Sequence, residues 1–280
     1  MGWFRENSSM VDSRRTLRRH PSAGNLSSRP ALVAPDDPPV TLPPPSFPHG
    51  DDTGPARVRL GPDLDDESLI KLLGPLEGRR ILDLGCGSGS SSVAMAVAGA
   101  RVIAVDGSTA RLTRARHAAE LAEVRVEFHH GDLADLAFIR ADSIDSVLAS
   151  YSLAGVSDLS RVFRQVHRVL QPEGAFVLSV PHPMSLMVDW DPEIGPTPWL
   201  SRSAWDTDST TWVVAGDEGH AQILQISSLF TTLHRSNFRV DVVAEPRPEV
   251  PTEESTSPHR DAIHDWVPPT LVMRARKLGI

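Results

Sequence analysis

The 280-residue sequence contains a single cysteine, Cys86, and a single tyrosine, Tyr151. One cysteine excludes an internal disulfide and a zinc site built from several thiolates. No run of about eighteen apolar residues occurs, which excludes a membrane-spanning helix, and the N-terminus lacks the apolar segment of a secretion signal. We therefore expect a soluble, cytoplasmic protein with neither a metal site nor a membrane span.

Basic side chains are outnumbered by acidic ones, and the formal net charge is −8. The charge is unevenly distributed, because residues 1–30 hold six arginines against Glu6 and Asp12 and carry +4, which leaves −12 on the remainder. Binding of nucleic acid depends on neutralising phosphates. An acidic body of this kind therefore disfavours a nucleic-acid partner.

Residues 1–55 are predicted to form a disordered basic tail and a proline-rich linker. Residues 1–28 are rich in arginine and serine with little apolar periodicity. Nine of the 26 residues 30–55 are proline, which excludes a helix or a central strand. The tail could carry a phosphorylation site, contact an anionic surface or belong to a transit peptide, and a solvated tail is the simplest interpretation. The folded domain is expected over residues 56–280.

Three alternating glycines follow a short apolar run in the segment ILDLGCGSGS, residues 81–90. The run predicts a buried parallel strand that enters a tight turn, and the small residues after it predict a helix. Glycine lets the backbone turn sharply and approach a ligand closely. The helix N-terminus offers unpaired N–H groups and the positive end of the helix dipole. We therefore expect a ligand with an anionic group at this corner.

The spacing of the glycines separates two classes of ligand. Dinucleotide-binding folds use G-x-G-x-x-G, with the third glycine where this sequence has Ser90, and need no acid inside the first strand. This sequence has G-x-G-x-G and carries Asp83 two residues before the turn. The arrangement resembles the first motif of the class I S-adenosylmethionine-dependent methyltransferases.

Further motifs of that family follow at matching intervals. RVIAVDGS is a second strand ending in Asp106, about twenty residues after the turn, where an acid can accept both ribose hydroxyls. VEFHHGDLADL supplies a third strand and then Gly131, Asp132 and Leu133, which resemble the adenine-binding position. IDSVLASYSL and LQPEGAFVLSVPHP match the fourth and fifth strands. The resemblance covers residues 64–183 and is nearest to type 11 methyltransferase domains, similar to the small-molecule C-methyltransferases of quinone biosynthesis.

The resemblance implies S-adenosyl-L-methionine as the cofactor and a set of residues that bind it. These predicted residues follow the first four strands: Asp83, Gly85, Cys86, Gly87, Gly89, Asp106, Gly107, Asp132, Leu133 and Ser150. In this interpretation Asp83 orders the loop and the methionine end of the cofactor, and Cys86 contributes its backbone N–H more than its sulfur. Asp106 could instead cap the next helix, and the Gly-Asp pair at 131–132 could be an ordinary turn.

Tyr151 and His182, just beyond the fourth and fifth strands, are the candidate catalytic residues. Open α/β sheets bind their ligands where Tyr151 stands, and His182 could act as a general base or orient a substrate. Rim packing by Tyr151 and a structural role for His182 are the alternatives. Methyl transfer requires a base only if the acceptor must lose a proton.

Alternating strands and helices predict a doubly wound, Rossmann-like α/β fold. Helices are expected over residues 90–98, 109–121 and 159–170, and a later one over 223–235. By resemblance, strands at 238–244 and 271–276 form an antiparallel pair that completes a seven-stranded, mostly parallel sheet with an antiparallel last strand.

Residues 184–222 form an insertion after the fifth strand that is too long for an ordinary connection and lacks sustained periodicity. It contains four of the six tryptophans, Trp190, Trp199, Trp205 and Trp212. Large aromatic surface is enriched where a protein meets a ligand or partner. A lid that shapes an apolar acceptor pocket is therefore expected, with a homodimer interface or a small local core as the alternatives.

The expected function is methyl transfer from S-adenosylmethionine to a small-molecule acceptor by in-line displacement. Methyltransferases of nucleic-acid bases usually have an Asp/Asn-Pro-Pro-Tyr motif after the fourth strand, where this chain has Ser150, Tyr151 and Ser152. Ser90 and Asp83 disfavour a dehydrogenase. A cofactor-binding regulator without turnover would share the same glycine turn and stays open as an alternative.

Overall fold

The computed structural model describes residues 56–61, 64, 70–189, 197–206, 210–214, 217–249, 254 and 262–279. The predicted tail and linker lie outside these residues. The main element is a seven-stranded sheet with the strand order β10-β11-β5-β4-β1-β2-β3. Its strands are β1 (Arg80–Leu84), β2 (Arg101–Asp106), β3 (Val126–His130), β4 (Ile144–Ser150), β5 (Leu170–Pro181), β10 (Phe238–Ala244) and β11 (Thr270–Lys277).

Strands β1 to β5 are parallel to one another, and β11 runs antiparallel to both β5 and β10. The prediction of a mostly parallel sheet with an antiparallel last strand is confirmed. Because β1 to β5 are parallel, their last residues all lie along one edge of the sheet, which we call the carboxyl edge. The strand order reverses beside β1, where the connection from β3 crosses to β4, and α/β sheets bind ligands at such a point.

In the part of the chain that the structure describes, four α-helices cover the sheet: α1 (Ser90–Val97), α2 (Thr109–Leu121), α3 (Leu159–Val169) and α4 (Ile226–Arg235). Val162, Phe163 and Val166 of α3 pack with Leu229 and Leu233 of α4 in one buried cluster. Met95 of α1 and Leu112 of α2 belong to two other clusters. The strand residues in those clusters point to the opposite face of the sheet from the strand residues that pack against α3 and α4. Helices therefore lie on both faces, which confirms the doubly wound fold. None of the helices in the described part of the chain is long and apolar enough to cross a membrane.

Two helices begin with side-chain caps, and both caps agree with the sequence pattern. Ser108 Oγ accepts a hydrogen bond from Arg111 N at the start of α2, and Asp158 Oδ1 accepts one from Arg161 N at the start of α3. Ser and Asp are strong N-cap residues because their side chains satisfy a free backbone N–H. The start of α1 differs, since it has Gly89 as its N-cap and no side-chain hydrogen bond.

Two local features differ from the sequence prediction. Strand β5 begins at Leu170, the residue where the preceding helix was expected to end, and it contains an irregularity, where Ile144 pairs with Leu170 and Ser146 with Ala175. Helix α4, expected from residue 223, begins at Ile226, because its N-cap Gln225 has an extended ψ of 137° and the preceding chain is bonded to Ala154 O through Gln222 N. Before Gly74, Ile70 is helical and Lys71–Leu73 form a 3-10 turn, and residues 65–69 lie outside the described part.

The insertion contains two small antiparallel sheets that its sequence did not predict. Strands β6 (Val188–Asp189) and β7 (Trp199–Leu200) form one, and β8 (Thr210–Val214) and β9 (Asp217–Ala221) form the other. Two-residue strands carry no readable alternation, and β9 has the sequence DEGHA, which lacks the usual β-branched residues. Trp190 lies outside the described residues.

An extended N-terminal segment, residues 56–61, packs against the sheet face that carries α1. Val58 and Leu60 are buried in the same cluster as Ile81, Met95 and Leu148. We call this segment the strap, since it runs from the start of α1 toward the ends of β4 and β11. That the folded domain begins at residue 56 stays a prediction, which the burial of these two side chains supports.

Candidate functional site

The glycine turn between β1 and α1 has the conformation that its sequence predicts. Gly85, Gly87 and Gly89 all have positive φ, at 81°, 57° and 88°. The backbone N–H groups of Gly85 and Cys86 both donate to Val105 O on β2, at 2.8 and 3.0 Å, which fixes the turn to the neighbouring strand. Because α1 lacks a side-chain cap, its first turn presents unsatisfied N–H groups at the carboxyl edge.

Two of these glycines are required by the packing of the protein itself. A Cβ atom on Gly85 would overlap the side chain of Ser152, and a Cβ on Gly89 would lie 2.7 Å from the Cβ of Ala115 on α2. Ser152 Oγ in turn donates to Leu84 O. The turn is therefore held between the end of β4 and helix α2, and larger residues would displace it from the site.

Asp106 at the end of β2 is the best-connected carboxylate of the site, and it is only 1% exposed. Its Oδ2 accepts a hydrogen bond from Gly87 N at 3.0 Å. Its Oδ1 accepts from Ser108 N at 2.8 Å and from Arg111 Nε at 3.0 Å. Asp106 is therefore not the helix cap, a role taken by Ser108. The carboxylate instead links the glycine turn to α2.

Asp83 is buried inside β1, as an acid in an apolar strand was expected to be, and its Oδ2 accepts a hydrogen bond from Ser92 Oγ. Burial raises the pKa of its carboxyl from 3.8 to about 7, against the opposing effect of the Ser92 hydrogen bond. The nearby charge of Asp106 raises it further. Asp83 thus connects β1 to the first turn of α1. Its ionised form lowers the stability of the folded protein, because a buried charge is unfavourable.

Cys86 is buried in the turn, and burial raises the pKa of its thiol well above the ordinary range. A thiol that stays protonated is a poor nucleophile. This geometry agrees with the prediction that Cys86 fills space, whereas its backbone N–H is used within the protein by Val105 O.

The residues after β2 and β3 form the rim beyond the glycine turn. Gly107 is exposed and its carbonyl accepts from His130 Nε2 at 3.1 Å. Asp132 is also exposed, and its Oδ1 accepts from Ala134 N at 2.9 Å, which makes the Gly-Asp pair an ordinary turn as well as a candidate contact. Leu133 is buried next to the glycine turn, 3.5 Å from the Cβ position of Gly85.

Ser150 at the end of β4 is bonded to the strap. Its Oγ donates to Arg59 O at 2.7 Å, and Ser90 Oγ at the start of α1 donates to Arg57 O at 3.3 Å. The strap thus contacts both sides of the predicted cofactor site. The sequence analysis missed this contact, because a short extended segment that pairs with no strand has no periodicity to detect.

Tyr151 lies beside Ser150 but its hydroxyl is used within the protein. The hydroxyl contacts Pro269 O at 3.2 Å and Thr270 Oγ1 at 2.5 Å, both at the start of β11. Burial raises the pKa of this phenol above its ordinary value of 10. The residue also has a positive φ of 56°, which is unusual for a side chain of this size. This geometry favours rim packing over general-base catalysis.

His182 follows β5 and both of its ring nitrogens have partners. Nδ1 accepts from Met184 N at 3.1 Å, so the proton lies on Nε2, which donates to Glu245 Oε1 at 3.0 Å. His182 N also donates to Pro269 O. The ring therefore connects the ends of β5 and β10, and a role as general base would require it to leave Met184.

All twelve predicted site residues thus lie on or just beyond the first five strands, at the carboxyl edge. The arrangement fits an adenosyl cofactor, because it brings a buried carboxylate, a turn of glycines without side chains and an uncapped helix start to one place. Their roles as cofactor ligands or catalysts stay predictions. Sequence reasoning missed Arg111, Ser152 and the strap. The one sequence signal for Arg111 is that it is a charged residue in the first turn of α2.

Comparison with known proteins agrees with this architecture. Residues 82–178 match the family model described as a methyltransferase domain. A demethylmenaquinone methyltransferase from Clavibacter sepedonicus is 41% identical over 109 residues, which cover 39% of this chain and 43% of the relative. A ubiquinone biosynthesis O-methyltransferase from Azorhizobium caulinodans is 35% identical over 107 residues, covering 38% of this chain and 42% of that protein. The chain thus spans less than half the length of these curated relatives.

A solved structure extends the match beyond the shared segment. The crystal structure of an S-adenosylmethionine-dependent methyltransferase from Mesorhizobium loti has 29% identity and a TM-score of 0.61, covering 75% of this chain and 96% of that one. Fold, glycine turn and these matches agree on the class: residues 82–178 match a methyltransferase domain, and the fold is that of the S-adenosylmethionine-dependent methyltransferases. S-adenosyl-L-methionine is the cofactor of this class.

Proposed function

We propose that the protein is an S-adenosylmethionine-dependent methyltransferase that acts on a small-molecule acceptor. The observation that carries the proposal is the contact between Asp106 Oδ2 and Gly87 N–H beside the uncapped start of α1. It places a buried carboxylate and free backbone donors at the switch point of the sheet. When bound, the cofactor supplies a methyl group on a positively charged sulfur.

The residues of the carboxyl edge would divide the work of binding. Asp106 would accept hydrogen bonds from the ribose, and Asp83 with Ser92 would hold the turn in place. Asp132 and Leu133 would flank the adenine, and Ser150 would tie the strap over the site.

No general base is needed for the proposed reaction unless the acceptor must lose a proton. In-line displacement depends mainly on holding two groups aligned in a site that excludes water. Tyr151 and His182 are engaged in hydrogen bonds that fix the ends of β4 and β5. We therefore propose that they shape the acceptor side of the site, and that catalysis rests on alignment.

An apolar, small acceptor is supported by the insertion. Trp199 is 38% and Trp205 79% exposed, so neither ring is enclosed in a local core. Ala204 O accepts a hydrogen bond from Gln225 Nε2 at 2.9 Å, which attaches this segment to the start of α4. The names of the two curated relatives refer to quinones, which are apolar. The relatives do not fix the attacking atom in this chain.

S-adenosylhomocysteine should stabilise the protein, and NAD should not. A ligand at 100 times its Kd adds about 2.7 kcal/mol to the free energy of unfolding. For a domain of this size we expect a rise in Tm of roughly 5–10 °C, measured by differential scanning calorimetry. NAD at the same concentration is the control, and a rise with NAD alone would refute the proposal.

A cofactor-binding regulator without turnover, the alternative function, would also be stabilised by S-adenosylhomocysteine, so a second measurement must separate the two functions. Release of S-adenosylhomocysteine from S-adenosylmethionine in the presence of cell extract would establish turnover. Binding without any release, across extracts that contain quinone precursors, would support a non-catalytic role instead.

Replacing Trp199 or Trp205 by alanine should impair use of the acceptor and spare the cofactor. We expect at least a tenfold loss in kcat/KM for the acceptor, because a ligand that packs on an indole loses that apolar contact. Affinity for S-adenosylhomocysteine, measured by calorimetry, should stay within about threefold.

The matched control is Leu121→Ala, which removes an apolar side chain at the far end of α2 that is 74% exposed, close to the 79% of Trp205. It should change neither quantity. If the tryptophan variants alter the oligomer mass and leave turnover intact, the insertion is an assembly surface and the lid proposal is wrong.

A further inference from the structure

Arg111 is a buried cation in a position that is unfavourable for one. It lies in the first turn of α2, is 5% exposed, and faces the positive end of the helix dipole. Its Nε and Nη2 atoms both lie 3.0 Å from Asp106 Oδ1. Buried ion pairs seldom add stability over apolar residues of similar size. Stability alone therefore gives little reason for this pair.

The two oxygens of the Asp106 carboxylate have different hydrogen-bond partners. Oδ1 receives two hydrogen bonds, from Ser108 N and from Arg111 Nε, and Nη2 of Arg111 lies in ion-pair contact with the same oxygen. Oδ2 receives Gly87 N. Since each oxygen offers two lone pairs in the carboxylate plane, Oδ1 is saturated and Oδ2 retains acceptor capacity.

We propose that Arg111 is a positioning residue for the cofactor, which fixes the orientation of the Asp106 carboxylate and reserves Oδ2 for the ribose. This inference rests on the proposed function. It narrows the expectation that Asp106 accepts both ribose hydroxyls, because Oδ1 is already occupied and Oδ2 is left to accept them. Arg111 is thus assigned to ribose recognition through Asp106, without contact of its own to the cofactor.

The test compares S-adenosylhomocysteine with its 2′,3′-dideoxy analogue by calorimetry. The wild-type protein should bind the parent compound about tenfold to a hundredfold more tightly, since charge-assisted hydrogen bonds to the hydroxyls are lost in the analogue. The ratio of the two affinities measures recognition of the ribose hydroxyls. A general loss of protein stability affects both affinities alike and does not change this ratio.

Two substitutions of Arg111 should lower the ratio. Arg111→Lys keeps the charge and the fold but cannot hold two guanidinium nitrogens against Oδ1, so the ratio should fall at least threefold. Arg111→Gln should bring it close to one. Arg116→Gln is the matched control, because Arg116 is an exposed arginine on the same helix that lies over the ring of Phe128. It should leave the ratio unchanged.

The outcomes separate this proposal from the function it rests on. Wild-type protein that binds neither compound would refute the methyltransferase proposal. Wild-type protein that binds both equally would remove Asp106 from ribose recognition, and a folded Arg111→Lys with the wild-type ratio would overturn the role of Arg111. A further loss of affinity on adding Arg111→Gln to Asp106→Asn would also overturn it, since Arg111 would then act without Asp106.

Discussion

Gly85→Ala should lower the free energy of unfolding by about 2–5 kcal/mol and remove cofactor binding. A left-handed φ costs a non-glycine residue roughly 1–2 kcal/mol, and forcing an atom into a filled space typically costs about 1–3 kcal/mol more. Gly85 meets both conditions, with a φ of 81° and the side chain of Ser152 against the position of its Cβ. Urea denaturation followed by circular dichroism measures the loss.

Gly78→Ala separates the two contributions. Gly78 has a φ of 72° and nothing within 4 Å of its Cβ position, so its replacement should cost only the backbone part. The second variant, Gly85→Ala with Ser152→Gly, removes the obstructing side chain and should recover part of the stability. If Gly85→Ala is no worse than Gly78→Ala, the contact with Ser152 does not constrain the turn.

Asp83→Asn should stabilise the protein increasingly as the pH rises. The pKa of the Asp83 carboxyl is raised by burial from 3.8 to about 7, so the folded state binds its proton more tightly than the unfolded state. The resulting stability is fully present below pH 3.8 and is lost as the pH rises through 7. About three pKa units correspond to roughly 4 kcal/mol at pH 9.

The difference in unfolding free energy between Asp83→Asn and wild type should therefore grow by about 4 kcal/mol from pH 4 to pH 9. Asparagine can still accept from Ser92 Oγ, so the fold should persist. Asp132→Asn alters an exposed carboxylate at the same edge and should stay within about 0.5 kcal/mol throughout. A constant difference for Asp83→Asn would show that its carboxyl titrates alike in both states.

A gain in stability should be accompanied by a loss of function. Asp83 links β1 to Ser92 in the first turn of α1, on the side where the cofactor is proposed to bind. Sites that keep a costly group usually do so for activity. We expect Asp83→Asn to weaken binding of S-adenosylhomocysteine at least tenfold, by calorimetry at pH 8.

The best-predicted elements have a regular pattern of side chains or a residue that marks where the element begins. Helix α2 was predicted over 109–121 and β10 over 238–244, and both have these bounds. In α2 a serine N-cap marks the start, and after the buried Phe238 the strand β10 alternates exposed and half-buried residues. Strand β9 has neither signal, and its partner β8 is identified only by the pairing between them.

The composition of the site was predictable and its internal bonding was not. Strand ends in a parallel sheet share one edge, so a list of residues after β1 to β5 already places Asp106, Tyr151 and His182 together. The hydrogen-bond partners of these residues could not be predicted. Tyr151 contacts Thr270, 119 residues away, and His182 contacts Glu245, 63 residues away. No local pattern reports such pairs, which exist only after the chain has folded.

The place of β11 has a consequence for synthesis on the ribosome. It lies between β5 and β10, so β5 has no partner on that side until residues 270–277 have been made. From the end of β5 to the start of β11 the chain adds about 90 residues, which takes roughly 5–20 s at ordinary translation rates. During that time the segment Phe176, Val177 and Leu178 exposes an unpaired apolar edge, of the kind that recruits other chains. The growing polypeptide is therefore most prone to aggregate while its cofactor half is already complete, and chaperone demand should peak there.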